Sequence, residues 1–127
     1  MVAYTAETED LRVTVQPAWV PAQTDALAGT FVFAYRIRLE NGSTGDVQVL
    51  RRSWRIVHAD GHVETVEGEG VVGEQPVLPP GGSYVYTSFV VLSTFTGTME
   101  GFYTMQRESG ERFRVAIPRF PLAAMAN

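Results

Sequence analysis

The sequence has no cysteine, no lysine and only two histidines. The missing thiol excludes a disulfide framework, a thiolate nucleophile, a Cys-ligated zinc and an iron–sulfur cluster together, so the fold must rest on its core. A chain of 127 residues can do that as one domain, because at this size about two thirds of the unfolded surface is buried. The missing lysine makes all ten basic residues arginine, the side chain that grips carboxylate or phosphate through two parallel hydrogen bonds. Replacement of one residue type throughout a chain is, however, a property of the whole sequence, as GC-rich codon usage produces, whereas an anion site needs a few positions. With a net charge of −4 and no positive stripe, nucleic acid is not an expected partner. No run approaches the roughly 20 apolar residues of a membrane span. The segment Met1–Asp10 carries Glu7, Glu9 and Asp10 without a basic, then apolar, leader pattern, and the expected location is cytoplasmic.

What is present is alternation. Phe31, Phe33, Tyr35, Ile37 and Leu39 alternate with Val32, Ala34, Arg36 and Arg38, which predicts a strand over Thr30–Glu40 with one face in a core. Leu11, Val13 and Val15 predict an earlier strand ended by Pro17, followed by a loop over Ala18–Gly29. Val47–Arg52 leads into Trp54, Ile56 and His58, and Asp60-Gly61 predicts a two-residue type I′ hairpin to Val63, Thr65 and Glu67. Pro79-Pro80-Gly81-Gly82 turns the chain into a strand over Ser83–Leu92. Thr98–Arg107 and Arg112–Ile117 predict a last hairpin, with Pro118–Asn127 lying back on the domain before fraying near Ala123. About seven or eight short strands with mostly hairpin connections and no helix predict an all-β fold, an antiparallel β-sandwich in preference to a small barrel.

Between two of these strands lies Gly68-Glu69-Gly70-Val71-Val72-Gly73-Glu74-Gln75-Pro76, whose first six residues match G-x-G-x-x-G. In a dinucleotide site the third glycine opens a helix whose amides hold the pyrophosphate. Pro76, Pro79 and Pro80 exclude that helix. The glycines then supply a bulge and tight bend close to neighbouring backbone. The alternative is a nest of amides around a phosphate, and because Glu69 and Glu74 repel a bare anion, such a site would hold pyrophosphate or a dinucleoside polyphosphate with Mg²⁺. Gly68, Glu69, Gly70, Gly73 and Glu74, with Arg51 and Arg52, are accordingly the candidate ligand- or partner-binding residues.

The motif through Leu78, together with Tyr86-Thr87-Ser88, Leu92-Ser93-Thr94, Gly97-Thr98-Met99-Glu100-Gly101 and Tyr103 to Met105, resembles the ApaG family in order and spacing. Arg51-Arg52 to Trp54-Ile56, Asp60-Gly61 and the segment Phe113–Phe120 fit the same family. The resemblance implies an immunoglobulin-like or fibronectin type III-like sandwich, known as a small bacterial protein and as a domain of eukaryotic F-box and polymerase-associated proteins. It also implies a link to cobalt resistance and magnesium efflux, in genes neighbouring a diadenosine tetraphosphatase and a ribosomal RNA methyltransferase, with no catalytic mechanism attached. The chain departs from the family at Ser53, where histidine is expected before the tryptophan, and at Phe89-Val90, where Gly-Cys is common.

Other clusters are read as bland. A two-residue turn pairs Ala59 with His62 and His58 with Val63, which sends the two imidazoles to opposite faces, unable to share an ion; only a longer, distorted loop would bring them together, with Asp60. Glu64, Glu67 and Glu69 are read as one solvated acidic face. No G-x-S-x-G elbow or other catalytic pattern is present, so a non-enzymatic role is expected, with no cofactor beyond the Mg²⁺ or Co²⁺ that the family link brings. Arg51 and Arg55 share one face of their strand while Arg52 points to the other, and Arg36 and Arg38 share the outward face of the preceding strand. Pairing with the protein's own glutamates is the favoured reading, and a basic strip across neighbouring strands that would receive an acidic partner is the alternative. Tyr84, Tyr86 and Phe89 with Phe102 and Tyr103 exceed what one sheet face can bury, which predicts a second covered face, in a homodimer or against a partner protein.

Overall fold

The computed structural model describes residues 2–124. Among these, nine strands form two antiparallel sheets: β1 (Tyr4–Thr8), β2 (Leu11–Trp19), β3 (Phe31–Asn41), β4 (Val47–His58), β5 (Val63–Glu69), β6 (Val77–Leu78), β7 (Ser83–Leu92), β8 (Thr96–Arg107) and β9 (Arg112–Ala123). One sheet has the order β1-β2-β3-β7, the other β5-β4-β8-β9 with β6 against the start of β4. The only helical piece among the described residues is a 3-10 turn at Pro21–Gln23.

The inward positions of each strand make the core between the sheets. Val13, Val15, Phe33, Tyr35, Ile37 and Leu39 of the first sheet face Val49, Trp54, Ile56, Tyr103, Met105 and Phe120 of the second, all buried. Tyr35 fastens the two layers, its ring meeting Trp54 edge-on at 5.3 Å and Phe120 at 6.2 Å. Each such side chain contributes roughly 1.5–3 kcal/mol by leaving water.

Prolines mark where alternation misleads. β2 does not stop at Pro17 but continues to Trp19, because β1 pairs with it only as far as Val15 and the remainder is a free edge on that side. β9 likewise runs through Pro118 and Pro121 at the outer edge of its sheet, with Phe120 and Leu122 buried. The strands that alternation leaves out are short: β1, with its half-exposed pattern, and the two-residue β6. The expected fraying beyond Ala123 falls mostly on residues outside those described.

The two sheets are joined at a corner built on the turn residues Asn41-Gly42-Ser43. Asn41, at the end of β3, is buried, and its Nδ2 donates to the carbonyls of Gly45 and Leu78 at 2.9 Å each. Its Oδ1 accepts from the Ser43 amide at 2.9 Å and the Ser43 hydroxyl at 2.6 Å. This post carries the chain from one sheet to the other, so β3 and β4 are not neighbours.

β4 also contains a bulge between Val49 and Arg51. Val47 and Val49 point inward before it; Trp54, Ile56 and His58 point inward after it. The extra residue, Leu50, switches the inward set from odd to even numbers.

Candidate functional site

The glycine motif sits where β5 leaves the second sheet. Gly68 and Glu69 end β5, opposite Arg52 and Arg51. The chain then closes a tight loop in which the Val71 amide donates to Glu74 O at 2.7 Å and the Glu74 amide donates back to Val71 O at 3.0 Å. Val71 is thereby driven into the core. The β4 bulge supplies the anchor: Leu50 O accepts from the Gly70 amide at 2.7 Å and from Gln75 Nε2 at 3.0 Å.

The three glycines are needed for different reasons. Gly70 has φ +60°, and a methyl on it would overlap the Glu74 carbonyl. Gly73 has φ +79° with open space around it. At Gly68 a methyl would come within 2.8 Å of the Arg52 guanidinium, which lies across the glycine and donates through Nη1 to Glu69 O at 3.0 Å and Gly70 O at 3.2 Å. Three amides of the motif, those of Gly70, Val71 and Glu74, are thus directed at the protein's own carbonyls. Glu74 accepts from the Tyr84 hydroxyl at 3.2 Å. The geometry is that of a bend clamped to the sheet rather than amides converging on an anion.

The arginines do not form one strip. Arg52 faces inward and is half-buried, whereas Arg51 and Arg55 point outward, with Arg55 Nη1 3.5 Å from Glu100. Arg36 and Arg38 lie on the outer face of the other sheet, where Arg36 donates to Gln16 at 3.3 Å and Arg38 stands 3.6 Å from Glu40. The corner at Asn41 separates the groups that adjacency in sequence had joined.

The largest correction concerns the histidines. Val57 pairs with Val63, so the residues opposed at the turn are His58 and His62, joined by the bond from the His58 amide to His62 O at 2.9 Å. The loop therefore has three residues, Ala59-Asp60-Gly61, with φ +90° at Gly61 and Asp60 Oδ1 accepting from the His62 amide at 3.0 Å. One residue of register brings the imidazoles to the same face, with ring centroids 5.1 Å apart. Glu64, two positions beyond His62, joins them, out of phase with Glu67 and Glu69. His58 is only 3% exposed. Its Nδ1 accepts from the Ser93 amide at 3.1 Å and pairs with Ser93 Oγ at 3.0 Å, while Nε2 lies 2.6 Å from Glu64 Oε1. Because a backbone N–H can only donate, Nδ1 carries a lone pair and the ring is the Nε2–H tautomer, donating to Glu64. The chain Ser93–His58–Glu64 has the order of a nucleophile, base and acid, but the nitrogen that would take the hydroxyl proton already accepts the amide of the same serine. It ties the hairpin to the β7–β8 turn.

The aromatic surplus is distributed between two outer faces, since β7 and β8 belong to different sheets. Phe102 is covered by the Arg114 guanidinium, 4.2 Å above its ring. Phe89 is not covered. It is 57% exposed, in line with Val91 at 52% and Val85 at 41%. Among the described residues β7 pairs only with β3, which leaves its other edge open. Tyr86 and Tyr103, by contrast, meet across the core with hydroxyls 2.5 Å apart, and burial pushes both phenols well up from their ordinary value.

Comparison with known proteins places this arrangement. Residues 21–107 match the model of the ApaG domain. The chain is 48% identical over 119 residues to protein ApaG of Paramagnetospirillum magneticum, covering 94% of this chain and 92% of that protein. Protein ApaG of Brucella suis is 44% identical over the same shares. The crystal structure of a putative ApaA protein from Bordetella pertussis superposes with a TM-score of 0.89 at 42% identity, over 93% of this chain and 96% of that one.

Proposed function

Since the chain belongs to the ApaG family, we propose that it acts as a non-enzymatic protein-interaction module in divalent-cation homeostasis, docking a strand of a partner protein along β7. One observation carries the docking: Ser83–Leu92 is a ten-residue sheet edge with no charge, proline, glycine or bulge. Those are the devices by which sheet edges are ordinarily kept from pairing. An added strand would complete the β7 ladder with main-chain hydrogen bonds and cover Val85, Phe89 and Val91.

The neighbouring outward positions define the partner. Phe89 lies beside Ala34 and then Ala18, while Val85 lies beside Arg38 and Thr87 beside Arg36. An extended segment with alternate apolar residues at one end and an acidic residue reaching the two arginines matches this surface. Phe89 alone, with roughly 110 Å² exposed on a ring of about 200 Å², would contribute about 3 kcal/mol when covered.

Phe89→Lys tests this without touching the core. A photo-crosslinker at position 91 is expected to trap one partner protein of the host cytoplasm. Phe89→Lys should abolish the capture while leaving the unfolding midpoint unchanged. Equal capture by both forms, or crosslinks that scatter over abundant proteins, would refute the docking. Light scattering separates the homodimer, in which β7 pairs with itself, from the heterologous partner.

A further inference from the structure

We propose that His58, His62 and Glu64 form a binding site for a borderline divalent transition ion such as Zn²⁺, with Ser93 positioning the His58 ring. Each of the three residues offers a ligand atom within 4.8 Å of the other two. Two imidazoles bound to one tetrahedral ion at 2.0–2.1 Å have ring centroids roughly 5 Å apart. His58 and His62 already stand at 5.1 Å. Ligand atoms on such an ion are roughly 3.3 Å apart, so Glu64 Oε1 must retreat by about 0.7 Å from its 2.6 Å contact with His58 Nε2. Glu64 is at the exposed rim and pairs with no arginine among the described residues, which leaves it free to move.

The pairing of a buried ligand with two exposed ones gives the site a fixed point and an open side. His58 is fixed from behind by Ser93, though in the metal-free form its Nδ1 accepts the Ser93 amide, whereas the second nitrogen of a metal-bound histidine ordinarily donates. His62 and Glu64 close from solvent, and water completes the coordination. Two nitrogens and one oxygen suit Zn²⁺ and its neighbours in the transition series; Mg²⁺ prefers oxygen alone.

Binding changes the tautomer of His58. The ion takes the Nε2 lone pair, so the ring's single proton moves to Nδ1, where the Ser93 hydroxyl turns from donor to acceptor. The Ser93 amide loses its acceptor in the process. That lost bond lowers the affinity by roughly ten- to a hundredfold relative to a site whose second partner is a carbonyl. Ser93 Oγ is therefore required by the metal-bound form in a way that it is not required by the metal-free one.

The site stands whether or not β7 docks a partner, and calorimetry of the untagged chain with Zn²⁺ and Mg²⁺ tests it. Zn²⁺ should bind one to one and shift the ring resonances of both histidines, with no response to Mg²⁺. His62→Gln and Glu64→Gln, both at exposed positions that leave the fold intact, should each weaken Zn²⁺ at least tenfold; Ser93→Ala should weaken it about tenfold. His58→Gln is informative only with a folded spectrum, and the other variants decide the question without it. Zn²⁺ affinity unchanged by His62→Gln and Glu64→Gln, or ring shifts at His62 with His58 unmoved, would overturn the three-ligand site.

Discussion

Replacing Gly70 and Gly73 separately by alanine distinguishes a glycine motif that bends the chain from one that cradles a ligand. Both have positive φ, +60° and +79°, so each alanine bears the cost of a left-handed residue, about 1 kcal/mol or somewhat more. At Gly73 nothing lies within 4 Å of the added methyl, and the cost ends there. At Gly70 the methyl overlaps Glu74 O and comes within 2.7 Å of the carbonyl carbon, both backbone atoms of the loop. The loop must open, which sacrifices the two bonds between Val71 and Glu74, at about 1 kcal/mol each. Partial withdrawal of Val71 from the core adds about 1 kcal/mol. The expected losses are therefore about 4 kcal/mol for Gly70→Ala and about 1 kcal/mol for Gly73→Ala. Urea unfolding at a common m value measures both, and at about 4 °C per kcal/mol the thermal midpoints should fall by roughly 16 °C and 4 °C. Equal losses at the two positions, or a Gly70→Ala protein within 1 kcal/mol of the parent, would refute the steric account of the motif.

Two further predictions concern buried polar groups. Tyr103→Phe leaves the Tyr86 hydroxyl without its 2.5 Å partner and should cost about 1–3 kcal/mol, whereas the double replacement with Tyr86→Phe should recover much of that in a denaturation cycle. Because burial raises both phenols above their unfolded value near 10, their contribution is full below about pH 10 and is lost as pH rises through the folded values. Stability should thus be insensitive to these groups at neutral pH and fall steeply above pH 10 in the parent, less so in the doubly substituted protein, as unfolding midpoints across that range will show. Arg52→Ala removes the clamp on Glu69 O and Gly70 O, and the amides of Gly70 and Val71 should exchange with solvent at least tenfold faster while those of β3 are unaffected.

Strands were legible in the sequence wherever one face is buried, as over Phe31–Leu39, because alternation reports burial directly. Sheet membership was not. Asn41-Gly42-Ser43 marks a turn without saying which strands it joins, and the buried amide of Asn41 makes it a crossing between layers, which separates the two arginine groups. The glycine motif was recognised as a bend, but its anchor at Leu50 O depends on a bulge that only pairing with β8 reveals. The histidine cluster escaped because Asp-Gly serves equally in a two-residue turn with positive φ at both positions and in a three-residue loop with positive φ at glycine alone. The structure takes the second, with Asp60 capping the His62 amide, and a single residue of register reverses the face on which every neighbour lies.

The bulge at Leu50 makes β4 and the glycine loop a matched pair of lengths. Removing one residue between Val49 and Trp54 would erase the odd-to-even switch, so that either Val47 and Val49 or Trp54 and Ile56 would turn toward solvent. The same deletion would take away the carbonyl on which Gly70 and Gln75 hang. An insertion in the exposed turn Ala59-Asp60-Gly61 can be absorbed there, but between Val49 and Trp54 the residue count itself is structural. This stretch works as a ruler, and it can lengthen or shorten only if both of its ends change together.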